Sequence, residues 1–302
     1  MNESQLKLTY YVNQTKFQKN IRLVLGDSKE LMKYINLKIP EHSYFFGFVQ
    51  TDGNLNKPFK KRNKGRLGIE LGKEDLHILK SFRKLFPMVY SSITERVRDT
   101  NFKENHKSCT LTICNMKFRN EINELGVPYG KKPEIISSPK VNFCERDYIR
   151  GLVDGDGSVG VTEKRLPFIS FTVKSEKLKE YLLNIIEKIT GEKKRLSRNR
   201  RDNIYNIMLN REKAQRFIKH LYYPGCLVLK RKLEKARITL KWERPKDVKR
   251  IFQKFWEPWE DKYILNHPLE ESCNYLKRTE RSIKMRLWRL KNNKASYLNI
   301  FK

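Results

Sequence analysis

The sequence predicts an α+β protein of two similar halves, each with the element order αββαββα, followed by a small all-helical segment. Two nine-residue segments carry this prediction: FFGFVQTDG at 45–53 and IRGLVDGDG at 149–157. Both are mostly apolar and end in Asp-Gly, and each leads into the same order of strand-like, helical and basic stretches. Beyond about residue 241 the repeat stops, and helix start and stop signals recur at short intervals over residues 256–293.

The repeat divides the chain into four parts. They are an N-terminal appendage, a first half, a second half and a helix-turn-helix-like module, at residues 1–40, 41–140, 141–241 and 253–293. Within the halves, Asn115 and Asn210 are predicted N-caps, because a short side-chain oxygen can accept an amide of the first helical turn. In the module, Pro258 suits a first helical turn, residues 269–276 fit a second helix, and Thr279 fits the cap of a third.

Charge and composition narrow the function. The 302 residues include 65 Lys and Arg against 34 Asp and Glu, a net charge of +31 with a pI near 9.9. Apolar residues make up 38%, which is enough to bury a core and excludes wholesale disorder. A folded chain this basic repels itself, and a polyanionic partner is the commonest reason to tolerate that. Nucleic acid is the first expected partner.

Membrane, secretory and zinc-binding features do not compete with this expectation. No apolar run approaches the roughly 18 residues of a spanning helix, and the first thirty residues lack the apolar block of a signal peptide. The five cysteines contain no CxxC pair and the histidines are scattered, so a zinc site is not expected. We expect buried cysteines and an intracellular protein, in the cytoplasm or nucleoid of a bacterial or phage-infected cell or encoded within an organelle.

Each repeated segment is predicted to be a buried helix that ends in an aspartate, Asp52 or Asp156. That position is unfavourable, because a carboxylate there adjoins the negative end of the helix dipole. Small residues recur four apart in GFVQT and GLVDG, which clears one helix face and allows the two helices to approach closely. The aspartates would then lie side by side. Gly53 and Gly157, which follow them, are expected in the left-handed C′ conformation.

Two neighbouring carboxylates repel each other unless a proton or a cation lies between them. Hard oxygen ligands with open coordination positions suit Mg²⁺. A calcium loop of the EF-hand type starting at Asp154 fails, because Val159 stands at its glycine position and Arg165 at its glutamate position. One Asp-Gly helix end alone would be an ordinary turn, but two in register favour a magnesium site.

The two segments resemble the paired motifs of single-chain LAGLIDADG homing endonucleases, and the likeness extends over about residues 42–241. The resemblance implies halves joined through the motif helices, β-sheets that form a saddle over DNA, and divalent-metal hydrolysis of both strands that leaves 3′ overhangs. It also implies that Asp52 and Asp156 are the metal-binding catalytic acids. The sixth motif position departs from the pattern in the first copy, where Gln50 corresponds to Asp154, so the two half-sites are expected to be unequal.

Members of this family place a lysine near the attacking water at the end of each half. The matching basic pairs here are Lys131 with Lys132 and Lys230 with Lys232. We favour Lys131 and Lys230 as the catalytic lysines. Simple phosphate contact or solvation is the alternative for all four side chains.

Two basic clusters fall in predicted sheet regions and are expected to bind DNA. A two-stranded ribbon fits the major groove, where Arg and Lys read guanine edges and neighbouring charges bind phosphates. A solvated surface is the alternative for any charge run, but the net charge of +31 favours binding. The first cluster is Lys57, Lys60, Lys61, Arg62, Lys64 and Arg66, and the second is Lys193, Lys194, Arg195, Arg198, Arg200 and Arg201.

The C-terminal stretches WEDKYILNH and LKRTERSIKMRLWRL resemble a helix-turn-helix of the Myb/SANT type. The resemblance implies a DNA footprint extended by the third helix, which offers Arg281, Lys284, Arg286, Arg289 and Lys291. The competing interpretation is a helical segment packed against the nuclease core, with tryptophans at the contact: Trp256, Trp259 and Trp288.

We therefore expect a monomeric, Mg²⁺-dependent endonuclease that makes a staggered double-strand cut in a long asymmetric DNA site. Two other functions on the same scaffold stay open. An intron RNA maturase would assist splicing without cutting DNA, and a non-cleaving regulator would bind DNA independently of Mg²⁺. An intein is not expected, because the chain opens with Met1 and ends NIFK without a His-Asn junction.

Overall fold

A computed structural model describes residues 33–292, except for 58–63, 101–102, 131–133, 192, 195, 200 and 246–254. The predicted appendage at residues 1–40 lies outside the described residues up to position 32. No helix in the described part of the chain combines the length and the apolar character needed to cross a lipid bilayer.

The first half has its elements in the order αββαββα. They are α1 (Pro40–Asp52), β1 (Gly53–Leu55), β2 (Leu67–Gly72), α2 (Leu76–Leu85), β3 (Ser91–Thr100), β4 (Lys103–Ile113) and α3 (Met116–Glu124). The four strands form an antiparallel sheet in the order β1-β2-β4-β3. Every second residue of β2 and of the end of β4 is buried, as period-two alternation predicts. The predicted N-cap Asn115 is confirmed, since its side chain accepts from the Phe118 amide at 2.9 Å.

The second half contains α4 (Glu145–Asp156), β5 (Ser158–Val161), β6 (Pro167–Val173), α5 (Glu176–Thr190), β7 (Tyr205–Asn210), α6 (Arg211–Leu221) and α7 (Lys230–Leu240). Its sheet has three strands among the described residues, in the antiparallel order β5-β6-β7. The predicted second strand between α5 and α6 is absent from the described part of residues 191–204. That stretch, KKRLSRNRR at its centre, has one apolar side chain and cannot bury a sheet face. Asn210 precedes α6 as predicted, but its side chain makes no cap hydrogen bond.

Helices α1 and α4 pack against each other along the faces cleared of large side chains. A Cβ atom added at Gly47 would lie 2.2 Å from the Tyr148 carbonyl oxygen, and one added at Gly151 would lie 2.2 Å from the Tyr44 carbonyl oxygen. Real Cβ contacts do not come this close, so the two backbones touch at these points. The small-residue spacing thus predicted the helix pairing correctly.

The prediction for the two glycines after the motif helices is wrong. Gly53 has φ −73° and Gly157 has φ −87°, both extended rather than left-handed. The chain passes from each helix almost directly into a strand, so no left-handed turn is made. Glycine is needed there for space, because a Cβ atom at Gly53 would lie 2.7 Å from the Val49 carbonyl oxygen, and one at Gly157 would lie equally close to that of Val153.

Three C-terminal helices follow the predicted bounds: α8 (Pro258–Asn266), α9 (Leu269–Leu276) and α10 (Glu280–Lys291). Thr279 caps α10 by accepting from the Ser282 amide at 3.3 Å, which confirms that prediction. Ile264, Leu276 and Ile283 form a small apolar core.

Two buried ion pairs supplement this core. Arg278 lies 2.7 Å from Glu260 and Arg286 lies 2.8 Å from Asp261, with all four side chains at most 5% exposed. The Trp256 ring lies over the Arg278 guanidinium at 4.0 Å. These contacts place Trp256 inside the C-terminal segment.

All five cysteines lie in the described ranges and are unpaired. Cys109 is buried as expected, whereas Cys114 is exposed and the other three are half-buried. Cys114 follows β4 and is out of phase with the buried face formed by Cys109, Leu111 and Ile113. The expectation of buried cysteines was therefore too broad.

Gly151→Ala should lower the free energy of unfolding by about 2–3 kcal/mol, because the added methyl group would overlap the α1 backbone. Gly68→Ala in β2 is the matched control, since nothing lies within 4 Å of a Cβ atom there and the change should stay within about 0.5 kcal/mol. Guanidinium unfolding measures both variants. Equal effects would contradict the close approach of α1 and α4.

Candidate active site

The two predicted acids lie at one end of the α1–α4 interface. Asp52 is the last residue of α1 and Asp156 the last residue of α4. The residues before them touch, since a Cβ atom at Gly155 would lie 1.8 Å from Thr51 Oγ1. Thr51 and Asp156 also line one small cavity, together with part of β6 that includes Thr172. Asp52 is half-buried and Asp156 is exposed.

A buried lysine covers the carbonyl end of α4. Lys232 is 4% exposed, and its Nζ donates to the carbonyl oxygens of Val153 at 2.6 Å, Asp154 at 2.6 Å, Gly155 at 3.3 Å and Gly157 at 3.0 Å. These carbonyls form the negative end of the helix dipole, so a cation is stabilising there. The ammonium group therefore lies beside the point where Asp156 leaves the helix.

Burial lowers the pKa of Lys232 to about 8, and the neighbouring carboxylates Asp154 and Asp52 oppose this shift by attracting the charged form. The effect of Asp52 means that the acid from the other motif helix also lies within electrostatic reach of Lys232. The ammonium group therefore contacts the end of α4 and is attracted by the carboxylate that ends α1.

The other predicted lysines are placed differently. Lys230 is the first residue of α7 and is exposed, with its backbone amide 3.4 Å from His77 Nε2. Lys131 and Lys132 lie outside the described residues. Sequence reasoning favoured Lys230, whereas the structure brings Lys232 to the helix end. Periodicity could have indicated this, because Lys232, Ala236 and Thr239 recur at helical spacing and are all buried.

The sixth motif positions are buried between the two halves. The Asp154 carboxylate accepts from the Tyr44 hydroxyl at 2.7 Å, the Leu229 amide at 2.8 Å and the Tyr222 hydroxyl at 3.3 Å. Burial raises the pKa of Asp154, and the hydrogen bonds from Leu229 and Tyr44 oppose that shift.

Gln50 occupies the corresponding place in the first half. Its Oε1 accepts from the Tyr148 hydroxyl at 2.6 Å, while its Nε2 donates to the carbonyl oxygens of Ser137 at 3.0 Å and Gly126 at 3.3 Å. Each sixth residue therefore accepts from a tyrosine of the opposite motif helix and also binds the segment that ends its own half.

The described members of the basic clusters lie in connections rather than in strands, which corrects the prediction for those residues. Lys57, Lys64 and Arg66 fall in the connection from β1 to β2, whereas Lys60, Lys61 and Arg62 lie outside the described residues. In the second half, Lys193, Lys194, Arg198 and Arg201 fall in the connection from α5 to β7, whereas Arg195 and Arg200 are not described. Runs of consecutive charges cannot satisfy the alternation of a half-buried strand, which explains why these clusters occupy connections.

A two-stranded ribbon, formed by β3 and β4 where they extend beyond β2, was not predicted from the sequence. Strand β2 pairs with β4 only as far as Gly72 opposite Ser108, and beyond that point β3 and β4 pair with each other alone. Arg96 and Arg98 alternate along this exposed extension, and Arg98 lies 3.1 Å from Glu70. Strand β3 (SSITERVRDT) contains acidic as well as basic residues, so it forms no run of basic charge. The alternation of its polar side chains was nevertheless visible in the sequence.

Both sheets have one buried face and one open face, and the open faces carry mainly small polar residues. Burial of alternate residues assigns to the open faces Ser92, Thr94, Thr110 and Thr112 in the first sheet, and Ser170, Thr172, Asn206 and Met208 in the second. Hydroxyl and amide groups of this kind can contact phosphates and base edges.

The outer face of α10 is basic and partly apolar. Arg281, Lys284 and Arg289 are exposed, and the first two line a shallow groove with Glu280, Met285 and Trp288, where Glu280 pairs with Lys284. Arg286, expected to face DNA, is instead buried because it pairs with Asp261. Trp288 is 50% exposed and Trp259 is 56% exposed. Exposed aromatic and cationic side chains are compatible with either interpretation of this segment.

The carboxylates at the ends of α1 and α4 fit a magnesium ion that is also bound by a substrate. Among the described residues, no three His, Cys, Asp or Glu side chains are grouped as a self-sufficient metal site. Mg²⁺ in proteins is commonly held by one or two carboxylates, with the remaining oxygens supplied by substrate phosphates and water. Asp52 and Asp156 can supply those carboxylates.

Comparison with known proteins adds the following. The family model described as a LAGLIDADG-like domain matches residues 143–222, from the start of α4 to the end of α6. No curated protein sequence matches the chain.

Several solved structures are similar in fold. The homing endonuclease I-WcaI bound to its DNA recognition sequence is 14% identical, with a TM-score of 0.46 over 70% of this chain and 94% of that one. I-GzeII in complex with a DNA target is 14% identical, with a TM-score of 0.42 over 67% and 90%. Mesophilic variants of I-DmoI are 16% identical, with a TM-score of 0.44 over 62% and 91%.

The lowered pKa of Lys232 predicts a pH-dependent stability. Below about pH 8, Lys232 is protonated in both the folded and the unfolded chain. Between about pH 8 and 10.5 it stays protonated in the unfolded chain but loses its proton in the folded chain, so its contribution to the free energy of unfolding rises with pH. Relative to Lys232→Met, the wild type should gain up to about 3 kcal/mol across that window. Lys235→Met removes an exposed lysine from the same helix as a control. Denaturant unfolding at several pH values measures the gain, and parallel pH profiles for the wild type and Lys232→Met would contradict it.

Proposed function

We propose that the protein is a site-specific, metal-dependent DNA endonuclease of the LAGLIDADG homing type. The observation that carries the proposal is that Asp52 and Asp156 are the last residues of two helices whose backbones touch, and that the buried ammonium of Lys232 lies on the carbonyl end of one of them. The match of residues 143–222 to the LAGLIDADG-like domain supports it. The reaction is hydrolysis of one phosphodiester bond in each strand, to give a staggered double-strand cut with 3′ overhangs.

In this proposal Asp52 and Asp156 hold Mg²⁺ against the scissile phosphates. Bound Mg²⁺ would stabilise negative charge on the attacking water and on the leaving 3′ oxygen. The carboxylates would tolerate proximity because the cations would lie between them and the DNA backbone would supply further oxygen ligands.

Lys232 is the lysine we assign to the half that ends in Asp156. Its four carbonyl acceptors fix the ammonium group, and its lowered pKa allows the amine to take up or release a proton near neutral pH. Lys230, the residue favoured by sequence reasoning, is exposed and more suited to a phosphate contact. Lys131 stays the prediction for the first half.

DNA is proposed to lie over the open faces of the two sheets. Thr172 belongs to such a face and lines the same cavity as Asp156, so a strand bound on the second sheet would pass beside this acid. The two basic connections and the β3–β4 ribbon would grip phosphates and enter the grooves. A single chain carries both halves, so we propose a monomer on an asymmetric target.

The C-terminal helices are proposed to lengthen this footprint. In a helix-turn-helix the last helix enters the major groove, and the outer face of α10 offers Arg281, Lys284 and Arg289 for that contact. The buried acids Glu260 and Asp261 are paired inside the segment, which leaves the outer face of α10 basic.

Asp52→Asn and Asp156→Asn should each slow double-strand cleavage by at least about 100-fold, because each removes a charged ligand from the reacting phosphate. DNA affinity should change less than about threefold, since the basic surfaces remain. Cleavage is measured as linearisation of a plasmid in Mg²⁺, and gel shift measures binding. The plasmid carries the two DNA segments that flank the gene, joined without the gene between them. Glu187→Gln, on the exposed face of α5, is the control for a lost carboxylate. Loss of binding in both variants would mean that the acids are structural, and binding without any wild-type cleavage would favour a regulator or a maturase.

Lys64→Ala/Arg66→Ala should reduce the slope of log affinity against log salt by about 2, because two phosphate contacts and their counterion release are lost. The control Lys80→Ala/Arg83→Ala removes the same charge from the exposed surface of helix α2. It should leave the slope of log affinity against log salt unchanged. Fluorescence anisotropy between low and physiological salt gives both slopes. Identical slopes for the two double variants would rule out a specific role for the β1–β2 connection.

A further inference from the structure

The Asp154 carboxylate is a junction of three segments that the proposed chemistry does not explain. It is fully buried and accepts hydrogen bonds from Tyr44 on α1, from Tyr222 at the end of α6 and from the backbone amide of Leu229. Leu229 is the N-cap of α7. A carboxylate of the second motif helix is therefore attached both to the first motif helix and to the start of α7.

The start of α7 determines where Lys232 lies. The Lys232 amide donates to the Leu229 carbonyl oxygen at 3.0 Å, so both residues belong to one helical turn. The segment before it is also held by α4, because Arg150 donates to the Leu227 carbonyl oxygen at 2.8 Å and to that of Leu221 at 2.9 Å. Arg150 lies one turn before Asp154. Two buried side chains of α4 thus anchor the whole stretch that leads to the lysine.

We propose that Asp154 is a positioning residue that sets Lys232 over the carbonyl end of α4. This inference rests on the proposed nuclease function, in which Lys232 serves the half that ends in Asp156. Asp154 fixes the first turn of α7 through the Leu229 amide, and the hydrogen bond from Tyr44 makes that position depend on α1. A change at the helix interface therefore reaches Lys232 without touching the DNA.

The polar groups that each half offers explain why the two motif copies differ at the sixth position. The second half offers a backbone N–H to this residue, which requires an acceptor such as the Asp154 carboxylate. The first half offers two carbonyl oxygens, at Gly126 and Ser137, which require a donor such as the Gln50 amide. Each side chain is matched to the polar groups of the segment that it anchors.

Strand-resolved cleavage tests the proposal. A duplex with a different fluorophore on each strand reports the two cuts separately, and Lys232→Met identifies the strand that this lysine serves. Asp154→Leu should slow that same strand by about 100-fold, since a shift of about 1 Å in a reacting group costs this much. The other strand and DNA affinity should stay within about threefold. Asp154→Asn keeps an acceptor for Leu229 and can donate to Tyr222, so it should recover most of the lost rate.

A second variant covers a folding failure of Asp154→Leu. Leu229→Pro removes the donated N–H, together with part of the buried Leu229 side chain, and keeps the carboxylate; the Leu229 φ of −70° suits a proline ring. It should slow the same strand. Equal slowing of both strands, or unchanged cleavage of both, in whichever of these variants folds would overturn the positioning role. Failure of the wild-type protein to cut either strand in Mg²⁺ would overturn the proposed function instead.

Discussion

The contact between the α1 and α4 backbones is the constraint on which the rest of the structure depends. Gly47 and Gly151 admit the carbonyl oxygens of Tyr148 and Tyr44, and Gly155 admits the Thr51 hydroxyl. With larger residues the helices would stand farther apart, and the acids at their ends would separate with them. A carboxylate on the last residue of each helix is electrostatically unfavourable, and Lys232 offsets part of that cost by occupying the negative end of the α4 dipole.

Hydrogen bonds across the helix pair make the close approach specific. Tyr44 of α1 donates to Asp154, and Tyr148 of α4 donates to Gln50, all four side chains being fully buried. A buried hydroxyl or carboxylate without a partner costs about 1–3 kcal/mol or more, so a slip of one helix along the other is penalised at both positions. Small residues permit the approach, and the tyrosine pairs fix its register. The same two positions also tie down the segments that end the halves, which connects helix register to the geometry of the site.

Local pattern was enough to predict the motif helices, their contact face and the C-terminal helix bounds, because periodicity and caps are properties of neighbouring residues. The conformation of Gly53 and Gly157 was mispredicted because the reason for glycine there is a close approach to the preceding turn. The choice between Lys230 and Lys232 depends on which side of α7 faces α4, and this is a tertiary property. The absent strand shows a different error: a repeat in sequence order was extended to a segment too basic to form a sheet face.

Net charge identifies a class of partner but not the surface that binds it. Some cations are committed to the interior: Arg150 pairs with Asp147, and Arg286 pairs with Asp261. Such groups are desolvated and hold the fold, so they add to the total of +31 without being able to reach a phosphate. Exposed cations occur in the connections beside the sheets, along the β3–β4 ribbon and on the outer face of α10, whereas the open sheet faces away from the ribbon carry mainly hydroxyl and amide groups. Charge at the margins would supply affinity and these polar groups would supply discrimination, since phosphate contacts position a duplex and base contacts specify its sequence.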